Sequence, residues 1–313
     1  MKYLYQMQRL AIGLSIAWIA VVISGFSTVI TPNPLGKGQT KRLIKSIKER
    51  HFEPVEQAGK TLKGTPKMSV LNLPENHTRY NRLGHIVEEI IYTPVQKHSW
   101  IEGKKSKEIV HTQRHATYTY KGKNQLVEKW EYSEFMREHK KYTFTYDVLG
   151  ILETVVWADG DGKLLGKERY HYDAETNTTT KHSYSGLGNL ESQVIYKRDE
   201  RGEDLEIHRC DAKGELQESY YFSSTYDEQG LLLEYCRSSG FEGMDLGQKT
   251  TVKYQYQQGV LAEESVYDSQ DQLEERMTYT YLSFDREGNW TRRILHHNGL
   301  PESFVEREIH YFR

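Results

Sequence analysis

A short unit recurs along most of this 313-residue chain, and it limits the fold more than any other feature. An aromatic residue is followed by a polar turn, often Asp-x-x-Gly, then one residue, then Leu or another apolar side chain. Copies read "YNRLGHI" (80–86), "YKGKNQL" (120–126), "YDVLGIL" (146–152), "YSGLGNL" (184–190), "CDAKGEL" (210–216), "YDEQGLL" (226–232), "YDSQDQL" (267–273) and "FDREGNW" (284–290). "RDERGED" (198–204) and "YQQGVL" (256–261) are drifted or shortened versions. Asp at the first turn position can accept hydrogen bonds from backbone amides two residues on, and Gly supplies the positive φ at the exit. Each copy therefore predicts a β-hairpin turn. In the denser stretches the turns lie roughly 12 to 17 residues apart, leaving ~8 to 12 residues per strand.

The segments between turns keep a period of two. Tyr142, Phe144 and Tyr146 share a face, as do Leu190, Val194 and Tyr196; Tyr220, Phe222 and Tyr226; Val252, Tyr254 and Tyr256; and Met277, Tyr279 and Tyr281. Opposite faces carry Lys, Glu, Thr and Ser. A helix would need the aromatics three and four apart. Composition agrees: 23 Tyr stand against 9 Phe and 5 Trp, and a ring with a polar tip suits half-exposed strand positions. Upstream, "TKRLIKSIKERHFEPVEQAGKTLKG" alternates around Leu43, Ile47 and Phe52 and turns at Ala58 and Gly59. The stretch 237–249, "RSSGFEGMDLGQK", reads as one long loop. The expected fold is all-β: a long antiparallel meander of hairpins forming a curled sheet or an open barrel-like or solenoid array. Isolated hairpins are marginal, so neighbours must share a core.

The first thirty residues are of another kind. Lys2 and Arg9 precede an uncharged run from Leu10 to Ile30, long enough for a signal peptide or a single membrane-spanning anchor, and expected to be helical. The expected organisation is 1–30 signal peptide or anchor, 31–40 linker and 41–313 one β domain. Export to the periplasm or cell surface follows, with anchoring in the inner membrane by residues 10–30 as the alternative to cleavage. Only Cys210 and Cys236 occur. On three successive strands, Leu205 to Cys210, Leu216 to Tyr226 and Leu231 to Cys236, both fall at the same end of the first and third. That places them roughly 9 to 10 Å apart, beyond the ~7 Å a disulfide can bridge, and predicts free thiols.

Chemistry-bearing motifs are few. "WADGDGKLLGKE" (157–168) puts Asp159, Asp161, Gly162 and Glu168 at four of the five key positions of a calcium loop. Its flanks have strand character, and Asp159 to Gly162 sits where the repeat calls for a turn. His208 and Cys210 share a strand face, but nothing local supplies an orienting group or an oxyanion hole. His296 and His297 are adjacent and point to opposite faces, the wrong arrangement for joint metal ligation. "LGKGQTKR" lacks a phosphate-loop spacing, and neither a Gly-x-Ser-x-Gly nor a His-Glu-x-x-His motif occurs. No catalytic, cofactor or metal residue is assigned. Charged residues make up 27% of the chain with a net charge of −2, so no basic field exists for nucleic acid.

The residues "YDVLGIL", "YDEQGLL" and especially "FDREGNWTRRI" (284–294), with their spacing, resemble the YD-repeat or Rhs-like repeat proteins from about Tyr80 to the C-terminus. "IKSIKERHFEPVEQAGKTLKG" is similar to the start of small exported YD-repeat-like proteins of Gram-negative bacteria. The resemblance implies a long curling antiparallel sheet, as in large members whose repeats wrap a toxic cargo. This chain is far shorter and ends in the strand-like "VEREIHYFR", with no toxin domain after the repeats. The family motif marks turns and carries over no site. The functional expectation is an exported, non-catalytic binding or structural module, without cofactor. Its partner would be a glycan, a peptidoglycan fragment or a protein, and its membrane contact would run only through the N-terminal segment. Two alternatives are an envelope hydrolase with carboxylates in the sheet concavity and an accessory or remnant of an Rhs-type toxin-delivery system.

Overall fold

The Asp-x-x-Gly units close their hairpins in one common way. Asp147 Oδ1 accepts from the amides of Leu149 at 2.9 Å and Ile151 at 2.8 Å. The Gly150 amide donates to the Asp147 carbonyl, the Asp147 amide donates to the Ile151 carbonyl, and Gly150 takes a φ of 82°. This is a tight turn followed by a left-handed residue that forms a bulge, so the strand register shifts by one as the hairpin opens, between Thr145 and Tyr146. Asp159, Asp199, Asp211, Asp227, Asp268 and Asp285 repeat both side-chain bonds. Asn81 does the same through its amide oxygen. The expected bond to the amide two residues on is present, and a second one reaches the amide four residues on.

A computed structural model describes residues 42–67, 75–101, 104–240 and 248–313, and every regular element in them is a strand. The strands are β1 (Ile44–Gln57), β2 (Lys60–Pro66), β3 (Glu75–Tyr80), β4 (Ile86–Ile101), β5 (Lys104–Lys121), β6 (Gln125–Ser133), β7 (Glu138–Tyr146), β8 (Leu152–Asp159), β9 (Leu164–Asp173) and β10 (Thr178–Ser185). They continue with β11 (Leu190–Arg198), β12 (Asp204–Asp211), β13 (Leu216–Tyr226), β14 (Leu232–Gly240), β15 (Gln248–Gln257), β16 (Val260–Tyr267), β17 (Leu273–Phe284), β18 (Trp290–His297) and β19 (Leu300–Tyr311). From β6 onward each has 8 to 12 residues, as the turn spacing requires. The hydrophobic N-terminal segment lies outside the described residues.

Consecutive strands pair antiparallel, and the ladder then closes. β1 pairs with β19 along one edge, from Ile44 opposite Tyr311 to Phe52 opposite Phe304. Its other edge takes β2 against residues 52–57 and β3 against residues 46–50. β2 and β3 therefore lie end to end as one interrupted strand, and nineteen strands fill eighteen positions of a closed antiparallel barrel. This corrects the expectation of an open curled sheet or solenoid. A twisted sheet of this many strands coils until its ends meet, and pairing β1 with β19 removes both exposed edges.

Two further expectations change. Strand β14 runs to Gly240 and β15 begins at Gln248, so the long loop foreseen over 237–249 shrinks from both sides; residues 241–247 lie outside the described residues. Both thiols are free, and strand β13 separates them as expected, but they do not fall at the same end of their strands. Cys210 is opposite Leu216 and Cys236 is opposite Ser223 on the intervening β13. The two cysteines are thus offset along the strands as well as across them.

The buried core is thin and concentrated in two sectors. Phe52, Ile294 and Phe304 pack across β1, β18 and β19. Val252, Tyr254 and Val266 pack with Leu232, Tyr235, Tyr256 and Leu261. With so little apolar burial, turn chemistry carries an unusual share of the specification. Asp159→Ala should cost about 1 to 3 kcal/mol, the worth of hydrogen bonds to a charged group. Asp161→Ala, two residues on, removes a carboxylate that bonds nothing among the described residues and should change stability by less than ~0.5 kcal/mol. Urea unfolding of the two variants checks this; equal losses would refute the turn account and return Asp161 to the role of a ligand.

Candidate functional site on the inner wall

Because side chains alternate along a strand and the ladder closes, one face of every strand must line the inside. Cross-strand partners identify that face. Tyr118, Lys129, Tyr142, Trp157 and Gly166 are successive neighbours. Tyr170, Lys181, Val194 and Tyr196, Ile207, Tyr220 continue the face. Tyr281, Arg293, Val305 and His51 complete it. The aromatics grouped by period two in the sequence all fall here. The paired cations of this face are the more enclosed ones: Lys129 and Lys181 are 22% and 20% exposed, against 37%, 47% and 50% for Lys141, Lys197 and Arg276 on the other. The tyrosine face is therefore the inner wall.

Polar pairing makes that wall tolerable. Tyr118 donates to Glu89 at 2.8 Å, Tyr170 to Glu168 at 2.6 Å and Tyr220 to Glu218 at 2.8 Å. Lys181 reaches Glu168 at 2.9 Å. Burial, then the adjoining carboxylate, pushes the Tyr142 hydroxyl up to about 12, and burial does the same for Tyr235. Tyr254 and Tyr279 rise further, again from burial and then from Glu264. These hydroxyls stay protonated donors. Gly166 has a packing reason: a Cβ there would lie 2.2 Å from the Trp157 indole, which crosses β9 at that point and stacks beside Tyr142.

At the rim where β8 begins and β9 ends, the wall opens into a cavity of about 510 Å³ lined by Ile151, Leu152, Tyr170, Tyr172, Thr179, Tyr196 and Arg198. Ile151, Leu152, Tyr172, Thr179 and Arg198 stand at or within one residue of a strand end, and Tyr170 and Tyr196 lie two or three residues further in. Arg198 is fixed by Asp204 at 2.9 Å and by Thr179 Oγ1 at 3.2 Å, with its guanidinium 5.4 Å from the Tyr196 ring centre. Tyr172 donates to Asn177 Oδ1 at 3.0 Å, and the Asn177 amide donates to the carbonyls of Arg198 and Asp199. The rim is thus held rigid by its own turns. Three aromatic rings, two aliphatic side chains and a few polar atoms face one space, and no carboxylate lines it.

Two charged groupings occupy other parts of the wall. Glu49 sits buried beside Arg307, at 2.5 Å, and His51, at 3.1 Å, and His51 in turn touches Ser303 Oγ at 3.2 Å. Burial raises the Glu49 carboxyl, but Arg307, His51 and Arg293 together bring it well below the usual range. Glu264 goes the other way: burial, then the charge of Glu275, raises it. Glu275 lies opposite Val266, diagonal to Glu264, on the adjoining strand.

The outer wall is laced with ion pairs, interrupted by the Phe52–Ile294–Phe304 cluster, whose residues alternate with the inward His51, Arg293 and Val305. Lys48–Glu75, Arg79–Glu88, Lys141–Glu128, Lys197–Glu206 and Arg276–Glu263 lie between 2.5 and 2.7 Å. His208 is on this face beside Cys210, and it contacts Ser219 Oγ at 2.9 Å and Glu206 at 3.2 Å. Ser219 is only 6% exposed and sits mid-strand in a fully paired ladder, so no free amides stand ready as an oxyanion hole. The contact therefore orders the strand pair. His296 and His297 face opposite ways, as expected, opposite Thr278 and Met277. Asp159 spends its carboxylate on the turn amides, and among the described residues no group of three metal-ligating side chains converges.

Of these tyrosines the strand periodicity singles out only Tyr196; Tyr170 and Tyr172 lie in "KERYHYD", whose strand character alone is legible, and their convergence is not. The one local signal was the placement of Tyr172 beside the turn after Asp173; the closing of β8 through β11 around one space has none.

No known protein family matches the sequence, and no curated protein does. Solved structures give distant likenesses. A porin-like protein from Bacteroides uniformis is 12% identical with a TM-score of 0.36, over 87% of this chain and 98% of that one. TcdB2-TccC3 without its hypervariable C-terminal region is 13% identical with a TM-score of 0.26, over 70% of this chain and 12% of that one. A Bacteroides fragilis protein of unknown function is 16% identical with a TM-score of 0.21, over 53% and 91%. At such scores the architecture rests on the strand pairings themselves.

The two carboxyl groups predict opposite pH effects. Glu49 is depressed, so its stabilising contribution is complete above the ordinary Glu value of about 4.3 and is lost as pH falls below it. Glu264 is raised, so its contribution is present at low pH and is lost as pH rises through the raised value. Glu49→Gln should cost about 3 to 5 kcal/mol at pH 8, the cost of breaking a buried ion pair, and less at pH 4. Glu264→Gln should stabilise at pH 8 and do little at pH 4. Urea midpoints at both pH values decide; the same sign for both variants at pH 8 would contradict the assignment.

Proposed function

We propose that the protein is a non-catalytic binding module of the bacterial envelope and that its inner wall takes a polyhydroxylated chain, a glycan or peptidoglycan fragment, at the Tyr170–Tyr172–Tyr196 cavity. The observation that carries this reading is the cavity itself. Its volume of about 510 Å³ and its mixture of aromatic rings with Thr179 and Arg198 suit a ligand with apolar ring faces and hydroxyl edges. Its lining offers no acid–base carboxylate pair, which favours binding over hydrolysis. The uncharged run from Leu10 to Ile30 would deliver the barrel to the periplasm or cell surface. The ion-paired outer wall suits a barrel standing in water, since a lipid-facing wall needs an apolar band. Membrane contact would then run through the N-terminal segment alone.

One observation favours a second reading. Glu264, raised by burial, neighbours Glu275 on the inner wall among Tyr254, Tyr256 and Tyr279, and carboxyl groups with displaced proton affinities are the raw material of glycoside hydrolysis. A single experiment separates the two. Full-length protein is titrated calorimetrically with chito-oligosaccharides and muropeptides while reducing ends are assayed in parallel. The binding reading expects heat without turnover, and a roughly tenfold weakening in Tyr172→Ala, about 1.4 kcal/mol. Turnover abolished by Glu264→Gln would support the hydrolase, and affinity untouched by Tyr172→Ala would remove the cavity from consideration.

A further inference from the structure

Half the ring away from the tyrosine cavity, the inner wall holds an arginine with no anionic partner of its own. The local backbone explains how it comes to be there. Residues three apart on a strand normally face opposite ways, yet Trp290 and Arg293 face the same side. The register of β18 against β17 slips between Tyr281 and Phe284, and this irregularity re-aims Trp290 inward. Trp290, 8% exposed, then stands between two guanidinium groups: Arg307 at 3.6 Å and Arg293 at 4.2 Å from its ring centre.

The charges do not balance. Arg307 is neutralised by Glu49 at 2.5 Å. Arg293 forms no ion pair among the described residues. It stacks near Tyr279, with its guanidinium 4.9 Å from the ring centre, and it donates to the Tyr281 hydroxyl, which itself donates to the Leu261 carbonyl at 2.8 Å. Its Nε is buried without any hydrogen-bond partner. A buried donor left unmade is costly, and a guanidinium carries its donors in a planar fork matched to a carboxylate. Two enclosed cations against one carboxylate, with a free planar donor edge between aromatic rings, describe a site one anion short.

We propose that Arg293, braced by Trp290 and Tyr279, is an anion-binding site on the inner wall, and that its ligand is a carboxylate, either as a free small acid or carried on a sugar acid. Arg307 and Glu49 act as positioning residues: their ion pair fixes Arg307 over one side of Trp290 and leaves Arg293 as the cation available to the ligand. Arg293 as a whole is half-buried while its Nε is enclosed, so an arriving carboxylate meets the Nη edge first and takes Nε after a small rotation of the side chain. The site is independent of the Tyr170–Tyr172–Tyr196 cavity, and either can fail without the other.

The test uses full-length protein and sodium acetate, sodium glucuronate and sodium chloride at constant ionic strength, read by thermal melting and by tryptophan fluorescence. The expected result is a saturable rise in Tm and a fluorescence change with a carboxylate that chloride does not give. A tenfold or greater preference for glucuronate identifies a sugar acid, and equal responses identify the free carboxylate. Arg293→Gln should abolish the response, Arg293→Lys should weaken it at least tenfold while keeping the charge, and Tyr172→Ala should leave it unchanged. Trp290→Phe should remove the fluorescence change. Carboxylates that act no differently from chloride would overturn the proposal, as would an Arg293→Lys protein that responds like the wild type.

Discussion

Strand β1 holds the structure closed. Its one edge pairs with β19, the last strand of the chain, and its other edge is shared by β2 and β3. Bringing segments so far apart in sequence together costs loop-closure entropy, although that cost grows only slowly with length. What offsets it is concentrated at this seam. Phe52 packs on Phe304 and Ile294, Glu49 meets Arg307, and His51 contacts Ser303. Val305, opposite His51, is fully enclosed. From β4 to β18 each strand pairs only with its sequence neighbours; β1 joins the beginning of the described chain to its end.

Closure then settles what each side chain means. An open sheet with aromatic and polar faces leaves both in solvent, and tyrosine is a compromise on either. A closed ladder makes the tyrosine face an interior and the Lys–Glu face an exterior. Interior tyrosines keep their hydroxyls bonded to Glu89, Glu168 and Glu218, so the wall is apolar in its ring faces and polar at its tips. Barrels of about sixteen to eighteen strands are too wide for facing side chains to fill, which accounts for the thin core and for inner residues left half-buried. The same width leaves room along the wall for the rim cavity at Tyr172 and for the Arg293 site across the ring.

Much of this was legible in the residues and some was not. Asp147, Asp227 and Asp285 announced their turns, because an Asx turn and a left-handed glycine are local chemistry. The shared faces of Tyr142 with Phe144, and of Tyr254 with Tyr256, followed from strand periodicity. Whether the sheet would close could not be read, because the pairing of Ile47 with Ile309 leaves no mark in either segment and depends on twist accumulated over every strand between. The offset of Cys236 from Cys210 was misjudged for a smaller reason of the same kind: β14 begins at Leu232 and runs on to Gly240, so Cys236 falls in its middle. The Glu49–Arg307 pair arises from closure and has no sequence motif, whereas the inward turn of Trp290 follows in part from the bulge that its repeat turn, "FDREGNW", shares with the other copies.

Closure of the ring through β1 and β19 is the claim on which the inner wall, its cavity and its anion site all depend. Lys48 and Glu308 are cross-strand partners on the outer face of that seam. Their Cα atoms should stand about 4.5 to 5.5 Å apart, as antiparallel partners do, within the span a disulfide can bridge. In a double variant, Lys48→Cys with Glu308→Cys, mild oxidation should give an intramolecular disulfide in monomeric protein and return maleimide labelling to the level of Cys210 and Cys236 alone. Introduced thiols that stay fully reactive, or that crosslink only between molecules, would show that the sheet is open and contradict the account.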